Sequence, residues 1–514
     1  MRASLALLLL ACPTGAQTPL WELAGFGLAP GEMQYAEVAR AQDFAVLGAY
    51  TANAIEGRAF VVEPSSGALL HELAKPNPGP LDQFGFAVAA HGERVLVSAP
   101  RDDQVGTLNA GAVYLYEAAS GQLLHTFWPS TPEVFGGFGY GLDMCEEWIA
   151  IGEVKDPTYG AIHIYDAQTF AHVVTVHPPD QQAAQVFGGQ VAVSSTGVMG
   201  AAVGEQVPFQ GKGAAYLFDL PSGQLRHKFV DGSTTSMPAF GQDLALTDQY
   251  ALIGSPENNT MGTKGGRAAL YDAQSGALLH DLFAPIAAPF TYFGWSVALE
   301  GELALIGAPG TDLGGAGGAA HLYDASSGSL LHTYEAPSTL SGEQAYLGWE
   351  CDLQDGKAIF TAHEQHIENP VGFVWVTEPV LVPPKLEDFV ATLPASGATY
   401  WLALESAPSA AGDAYLVIGS MSGSSPGLAL SPYAFLPLNP DVYTSISLAG
   451  AGSAPFFGTF GLLDADGYAS FKIEVPPIPY APVTVHHAAL TLRFDAQGEL
   501  ALATSAPVVV DILP

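Results

Sequence analysis

Basic residues are scarce: 16 Lys and Arg stand against 51 Asp and Glu in 514 residues, a formal net charge of −35. Such a surface repels a phosphate backbone, so nucleic acid is not an expected partner. Cysteine is scarcer still, three in all. Cys145 and Cys351 lie far apart in the chain, which excludes a disulfide framework as the source of stability. Both fall in apolar, strand-like runs, where buried and unreactive thiols are expected. Long apolar runs are missing, and nothing approaches the roughly 20 residues of a spanning helix. No transmembrane span is therefore expected. Helical periodicity is absent, which excludes a helical solenoid. Gly-x-Ser-x-Gly, a phosphate loop and Cys-x-x-Cys are absent too.

What is present is Gly (58), Pro (38) and 48% hydrophobic residues, with only 13% charged. That mixture suits many short strands joined by turns. An aromatic-glycine step recurs at Phe84-Gly85, Phe138-Gly139, Phe187-Gly188, Phe240-Gly241 and Phe293-Gly294. Leu347-Gly348 follows at the same interval, and Tyr35-Ala36 precedes the series. The second copy shows the internal order. Phe84 to Ala90 alternates as a strand, and a turn lies at His91-Gly92-Glu93. Arg94 to Ser98 is a second strand, and a polar loop runs to Ala110. Ala112 to Tyr116 is a third strand, and a Ser120-Gly121 turn leads to a fourth, Leu123 to Phe127. Four short antiparallel strands per repeat make a propeller blade.

The last copy lacks its fourth strand. Leu20-Trp21-Glu22-Leu23 reads like Leu70-His71-Glu72-Leu73, so the N-terminal segment is expected to supply it and to cover an open sheet edge. The expected fold is all-β: a seven-bladed β-propeller over residues 19–378, a linker at 379–384 and a C-terminal β-sandwich-like domain at 385–514. Residues 1–16 read as a signal peptide, with Arg2 ahead of an apolar core and small residues to Ala16. Leu9-Leu10-Ala11-Cys12 also fits a lipobox, so free secretion and a lipid anchor at Cys12 both stand.

Phe293-Gly294-Trp295-Ser296-Val297 followed by Ile306-Gly307-Ala308-Pro309 resembles FG-GAP repeats, the blades of integrin α-subunit propellers and of many secreted bacterial proteins. The resemblance implies the fold and says little about function, because one fold hosts many activities. It also implies calcium in the loop between the first two strands of a blade. Calcium needs six to eight oxygen ligands. Here those loops are as short as Glu146-Glu147 or Glu300-Gly301-Glu302, and the calcium role does not carry over. Asp272-Ala273-Gln274-Ser275-Gly276 resembles repeats of quinone-dependent dehydrogenase propellers. However, His71, His125, His227, His280 and His332 stand where those carry Trp, so no quinone site is expected. Ring symmetry spreads these histidines apart, so they read as structural. In the tail, Ser422-Gly423-Ser424-Ser425-Pro426-Gly427 and Leu462-Leu463-Asp464-Ala465-Asp466-Gly467 resemble modules of large secreted bacterial proteins.

Metal chemistry finds little footing. His363-Glu364-Gln365-His366 spaces its histidines three apart, not the four of a zinc helix. Asp464-Ala465-Asp466-Gly467 reads as a hairpin turn. No cofactor is expected.

Loop lengths point to a contact face. The loops between second and third strands are long, as are the connections between blades, and strand alternation puts both on one face. Candidate binding residues there are Arg101, Asp102, Asp103, Lys155, Asp156, Tyr159, Phe209, Lys212, Asn258, Asn259, Lys264, Asp312 and His363. The expected function is a secreted or surface-exposed, non-enzymatic module that meets an extracellular protein or glycan. The alternative is an extracellular hydrolase or lyase at the central channel, with Asp143, Asp243 and Asp352 as candidate acids.

Overall fold

The computed structural model describes residues 21–376 except 23–36, 42, 65–66, 104–105, 156–159, 180–185, 203–212, 233–238, 312–316, 336–345, 355–356 and 364–371. Beyond 376 it describes the backbone of the strands within 385–513. The chain divides into two compact units, Ala16–Pro379 and Val380–Pro514 together with Met1–Gly15.

The first unit is a β-propeller. Six blades of four antiparallel strands, each made in chain order, fill residues 37–335. Blade 1 comprises Glu37–Arg40, Ala45–Ala49, Arg58–Val62 and Leu69–Leu73. The innermost strands of blades 2 to 6 are Val88–His91, Phe138–Met144, Val191–Val193, Leu244–Leu246 and Val297–Glu300. Each lies beside the innermost strand of the blade before it. A further four-stranded sheet is built from Cys351–Gln354, Lys357–His363, Gly372–Val376 and Trp21–Glu22. Its innermost strand lies between those of blades 6 and 1. Trp21 stands opposite Val374 and Glu22 opposite Phe373. His71 and Glu72 hold the same register against Val61 and Phe60 in blade 1. One helical turn, Ala52–Ile55, interrupts the strands.

Third strands such as Ala112–Glu117 are buried along nearly their whole length, because neighbouring blades cover both faces. Fourth strands lie at the rim, where Leu69, Leu70, Leu124, Leu278 and Leu279 are exposed. The first strand of blade 2 starts later than the alternation suggests, at Val88 rather than Phe84. Gly85, at φ +87°, bends the chain first. That bend seats Phe84 beside Gly57 of blade 1 in a parallel bridge. Phe138, Phe187 and Phe293 repeat the arrangement with Gly111, Gly160 and Gly266, and all are fully buried. Phe138 packs between Leu96 and Leu115 of blade 2 and Ile149 and Ile151 of blade 3. The aromatic of each step is thus a wedge between blades.

The glycine of the second strand has a matching reason. A Cβ on Gly152 would lie 1.8 Å from the carbonyl oxygen of Gly188 in the next blade. On Gly307 it would lie 2.2 Å from that of Gly348. Backbone meets backbone at these points and leaves no room for a side chain.

In the second unit, one sheet runs in the order Lys385–Asp388, Ala398–Glu405, Tyr468–Val475 and Phe456–Phe457. Another is centred on the long strand Val483–Phe494, between Ala414–Ser420 and Val508–Leu513. Thr392–Pro394 joins its edge in parallel.

Candidate functional site

The long loops and the blade connections meet at one end of the blades. Phe135 N–H donates to Leu108 O at 2.8 Å and Phe138 N–H to Ala110 O at 3.0 Å. Phe290 N–H donates to Thr263 O at 2.7 Å and Tyr292 N–H to Lys264 O at 3.1 Å. Arg101, Asp103, Lys155 and Asn259 are exposed at this end. Lys155 Nζ lies 5.3 Å from the centre of the Phe135 ring. Lys264 lies 5.6 Å over Tyr292 and pairs with Glu257 at 2.7 Å. Asp103 and Asn259 accept from the backbone N–H groups of Asn109 and Lys264, which shapes their own loops.

Two expected contact residues are not on the surface. Asp102 is buried, where it pairs with Lys75 at 2.7 Å and accepts from the Tyr114 hydroxyl at 2.5 Å. Lys75 also meets Asp82 at 2.9 Å. Asn258 is buried and donates to Asp231 at 3.1 Å, beside the Arg267–Asp231 pair at 3.0 Å. A carboxylate without its cation would be costly there, so the pairing is a condition of burial. Both residues support the loops and are withdrawn as surface contacts. Sequence reading missed this because the partners, Lys75 and Asp231, come from the preceding blade. Asp156, Tyr159, Phe209, Lys212 and Asp312 lie outside the described residues. His363 ends the strand Lys357–His363, and His366 lies outside the described residues.

The innermost strands surround a cavity of about 420 Å³. The residue two places after the wedge recurs at its mouth: Glu37, Phe86, Tyr140, Gly189, Gln242 and Trp295 line the cavity. Trp349 takes the same place after Leu347 and packs against Trp295, with ring centres 4.6 Å apart and planes inclined by 41°. Phe86 and Tyr140 form a second pair at 4.8 Å. Tyr292 joins Lys264 to this tier, 6.0 Å from Trp295.

Below the mouth, the wall is acidic. Asp143, Asp243, Glu350 and Asp352 line it together with Arg40. Burial lifts Glu37 to about 8, with the Asp243 charge adding to the effect. Burial lifts Asp143 to about 7, and Asp243 and Asp352 to about 6. Glu350 is raised for the same reason and by the neighbouring Glu37 charge. The aspartates are also fasteners. Asp143 Oδ2 accepts Val193 N–H at 2.7 Å, joining blades 3 and 4. Asp243 Oδ2 accepts Val297 N–H at 2.7 Å, joining blades 5 and 6. Asp352 Oδ2 accepts Arg40 N–H at 2.6 Å. In each, Oδ1 accepts the next backbone N–H, from Met144, Leu244 or Leu353.

The rim histidines bind neighbouring turns. His71 reaches Ala119 O at 2.7 Å, His227 reaches Gln274 O at 2.9 Å and His280 reaches Ser326 O at 3.1 Å. Cys145 sits just past its strand and is partly exposed rather than buried, yet desolvation pushes its thiol up to about 12. Cys351 is buried and its thiol is also raised. Among the described residues, no group of three or more His, Cys, Asp or Glu is arranged to hold a metal ion. Also among them, no helix is long and apolar enough to cross a membrane.

Residues 73–116 and 280–323 match the FG-GAP repeat. The chain carries an FG-GAP β-propeller. Each matched segment runs from the outer strand of one blade to the third strand of the next. It therefore spans one inter-blade junction with its wedge. No curated protein matches the chain. The FG-GAP motif here is explained by packing: the aromatic fills the junction, and the two glycines let the backbones touch. An FG-GAP propeller of this kind is a scaffold consistent with binding or adhesion.

Proposed function

We propose that this chain is a secreted or surface-exposed, non-enzymatic binding or adhesion protein, and that the loop-bearing end of the propeller meets an extracellular protein or glycan. The observation that carries the reading is the convergence of both long loop classes at one end, with Lys155 and Lys264 held over aromatic rings. In a chain with so few cations, two placed on rings at one end make a defined contact surface. The test is Lys155→Glu with Lys264→Glu, read as binding of the full chain to an array of glycans and extracellular proteins. Binding is expected to weaken about tenfold, the worth of 1.4 kcal/mol, with an unchanged melting temperature. Unchanged binding would refute this surface.

Under this reading the sheet completed by Trp21–Glu22 is the seventh blade, the N-terminal strand latches a closed circle, and residues 385–514 form a sandwich. Deleting residues 19–25 exposes the edge of Gly372–Val376 and removes the latch. The melting temperature of the first unit is expected to fall by roughly 5 °C or more, since about 1 kcal/mol shifts a domain of this size by a few degrees. A deletion variant that melts unchanged would sink the latch.

The hydrolase or lyase reading is favoured by one observation, the raised carboxyls in the cavity. Against it, Asp143, Asp243 and Asp352 have both oxygens engaged by backbone. Cleavage of a bound glycan, lost in Glu37→Gln, would overturn the non-enzymatic reading.

A further inference from the structure

Six of the places two after the wedge line the cavity and the next, Trp349, packs on Trp295, yet these equivalent places have different occupants. Gly189 and Gln242 fill two of them, and blades 4 and 5 form their inner pairings with these residues in place. Trp295 and Trp349, and Phe86 and Tyr140, are therefore not demanded by the fold. All four are partly exposed. Half-wet aromatic faces gathered at a concave mouth are unfavourable unless something covers them. The two pairs are separated by places that carry no ring. Glu37 follows Trp349 in the order of sheets, and Gly189 and Gln242 follow Tyr140. Flat apolar plates with a carboxyl and a carboxamide on the same tier suit a ligand with an apolar face and a hydroxylated edge.

We propose that the cavity mouth is a carbohydrate subsite: a pyranose lies against the Trp295–Trp349 pair or the Phe86–Tyr140 pair, and Glu37 and Gln242 hydrogen-bond its hydroxyls. The proposal deepens the binding reading above and rests on it. It adds a glycan as ligand class and the channel mouth as location. Tyr292, between Lys264 and Trp295, links the outer contact surface to this subsite.

The experiment is calorimetric titration of the full chain with neutral hexasaccharides of glucose, mannose, galactose and N-acetylglucosamine. Trp295→Gln, Trp349→Gln and Tyr140→Gln are run beside it. Glutamine is accepted at this place in blade 5, so these variants are expected to fold, and their melting curves verify it. Should a tryptophan variant fail to fold, Tyr140→Gln and Gln242→Ala carry the test. Saturable binding of at least one hexasaccharide, weakened tenfold or more by an aromatic variant, supports the proposal. No binding by any of the four, or binding untouched by all folded variants, overturns it. Binding of tetramethylammonium in place of every sugar also overturns it and makes the mouth a cation cage. Sugar binding lost in the Lys155 and Lys264 variant but kept in the aromatic variants leaves the outer surface standing and removes the channel subsite.

Discussion

Gly152→Ala is expected to lower the unfolding free energy of the propeller by roughly 3 kcal/mol or more, at the upper end of overpacking penalties. The added methyl carbon would sit 1.8 Å from the Gly188 carbonyl oxygen and 2.7 Å from its carbon. Both obstacles are backbone, which has no rotamer to change. Gly188 is itself held at φ +83° and cannot yield without unseating Phe187. The two blades would have to part, wetting a junction that buries Phe187, Ile162 and Tyr216. Gly232→Ala is the control: a Cβ there meets nothing within 4 Å, and its backbone does not need glycine. Chemical denaturation of the two variants decides the matter. Equal midpoints would mean that backbone contact does not set the spacing of blades.

The second large effect is on pH. Stability of the propeller is expected to decline by at least about 3 kcal/mol between pH 5 and pH 8, given about 1.4 kcal/mol per unit of pKa difference. Glu37, Asp143, Asp243 and Asp352 have folded values of about 8, 7, 6 and 6, above the 4.5 and 3.8 of free Glu and Asp. Over that window the native state binds more protons than the unfolded chain, so raising pH favours unfolding. The groups facing these acids are Arg40, Glu300, Glu350 and each other. Asp166, Asp248 and Asp272, at least partly exposed, are lowered by hydrogen bonds from neighbouring Ser and Thr residues and their backbones. Their contribution is lost as pH falls below the ordinary Asp range. Maximum stability therefore lies near pH 4 to 5. Surface repulsion from the net charge has the same sign but is screened by salt, whereas charges in the cavity wall are shielded far less. The decline should persist in 0.5 M NaCl, and Glu37→Gln should flatten it between pH 6 and 8. A profile that is level from pH 5 to 8, or levelled by salt, would contradict the assignment.

Much of the propeller was legible because its repeat is physical. The aromatic-glycine step marks the junction, the second-strand glycine marks a backbone contact, and Ser-Gly marks the outer hairpin. Trp21–Glu22 was readable for the same reason, since it copies His71-Glu72 in type and register. The candidate site was less legible. Asp102 and Asn258 lie in polar loop sequence and look solvated. Only the fold brings Lys75 and Asp231 from neighbouring blades to bury them. The aromatic tier at the cavity mouth was in view residue by residue, but Phe86, Tyr140, Trp295 and Trp349 carry no motif of their own in the sequence. What distinguishes them is Gly189 and Gln242 at the same repeat position, which matters only once the fold brings these places to one cavity.

The cavity aspartates have a consequence for how the propeller gives way. Ionised, each repels its neighbours, yet it is also a better acceptor for the amide it clasps. Alkali thus strains the cavity wall while tightening the joints at Val193, Val297 and Arg40. Blades 3 and 4, blades 5 and 6, and the last sheet and the first blade are each fastened in this way. Between blades 4 and 5 the clasp is instead Asp248, which accepts Thr196 N–H at 3.1 Å away from the cavity.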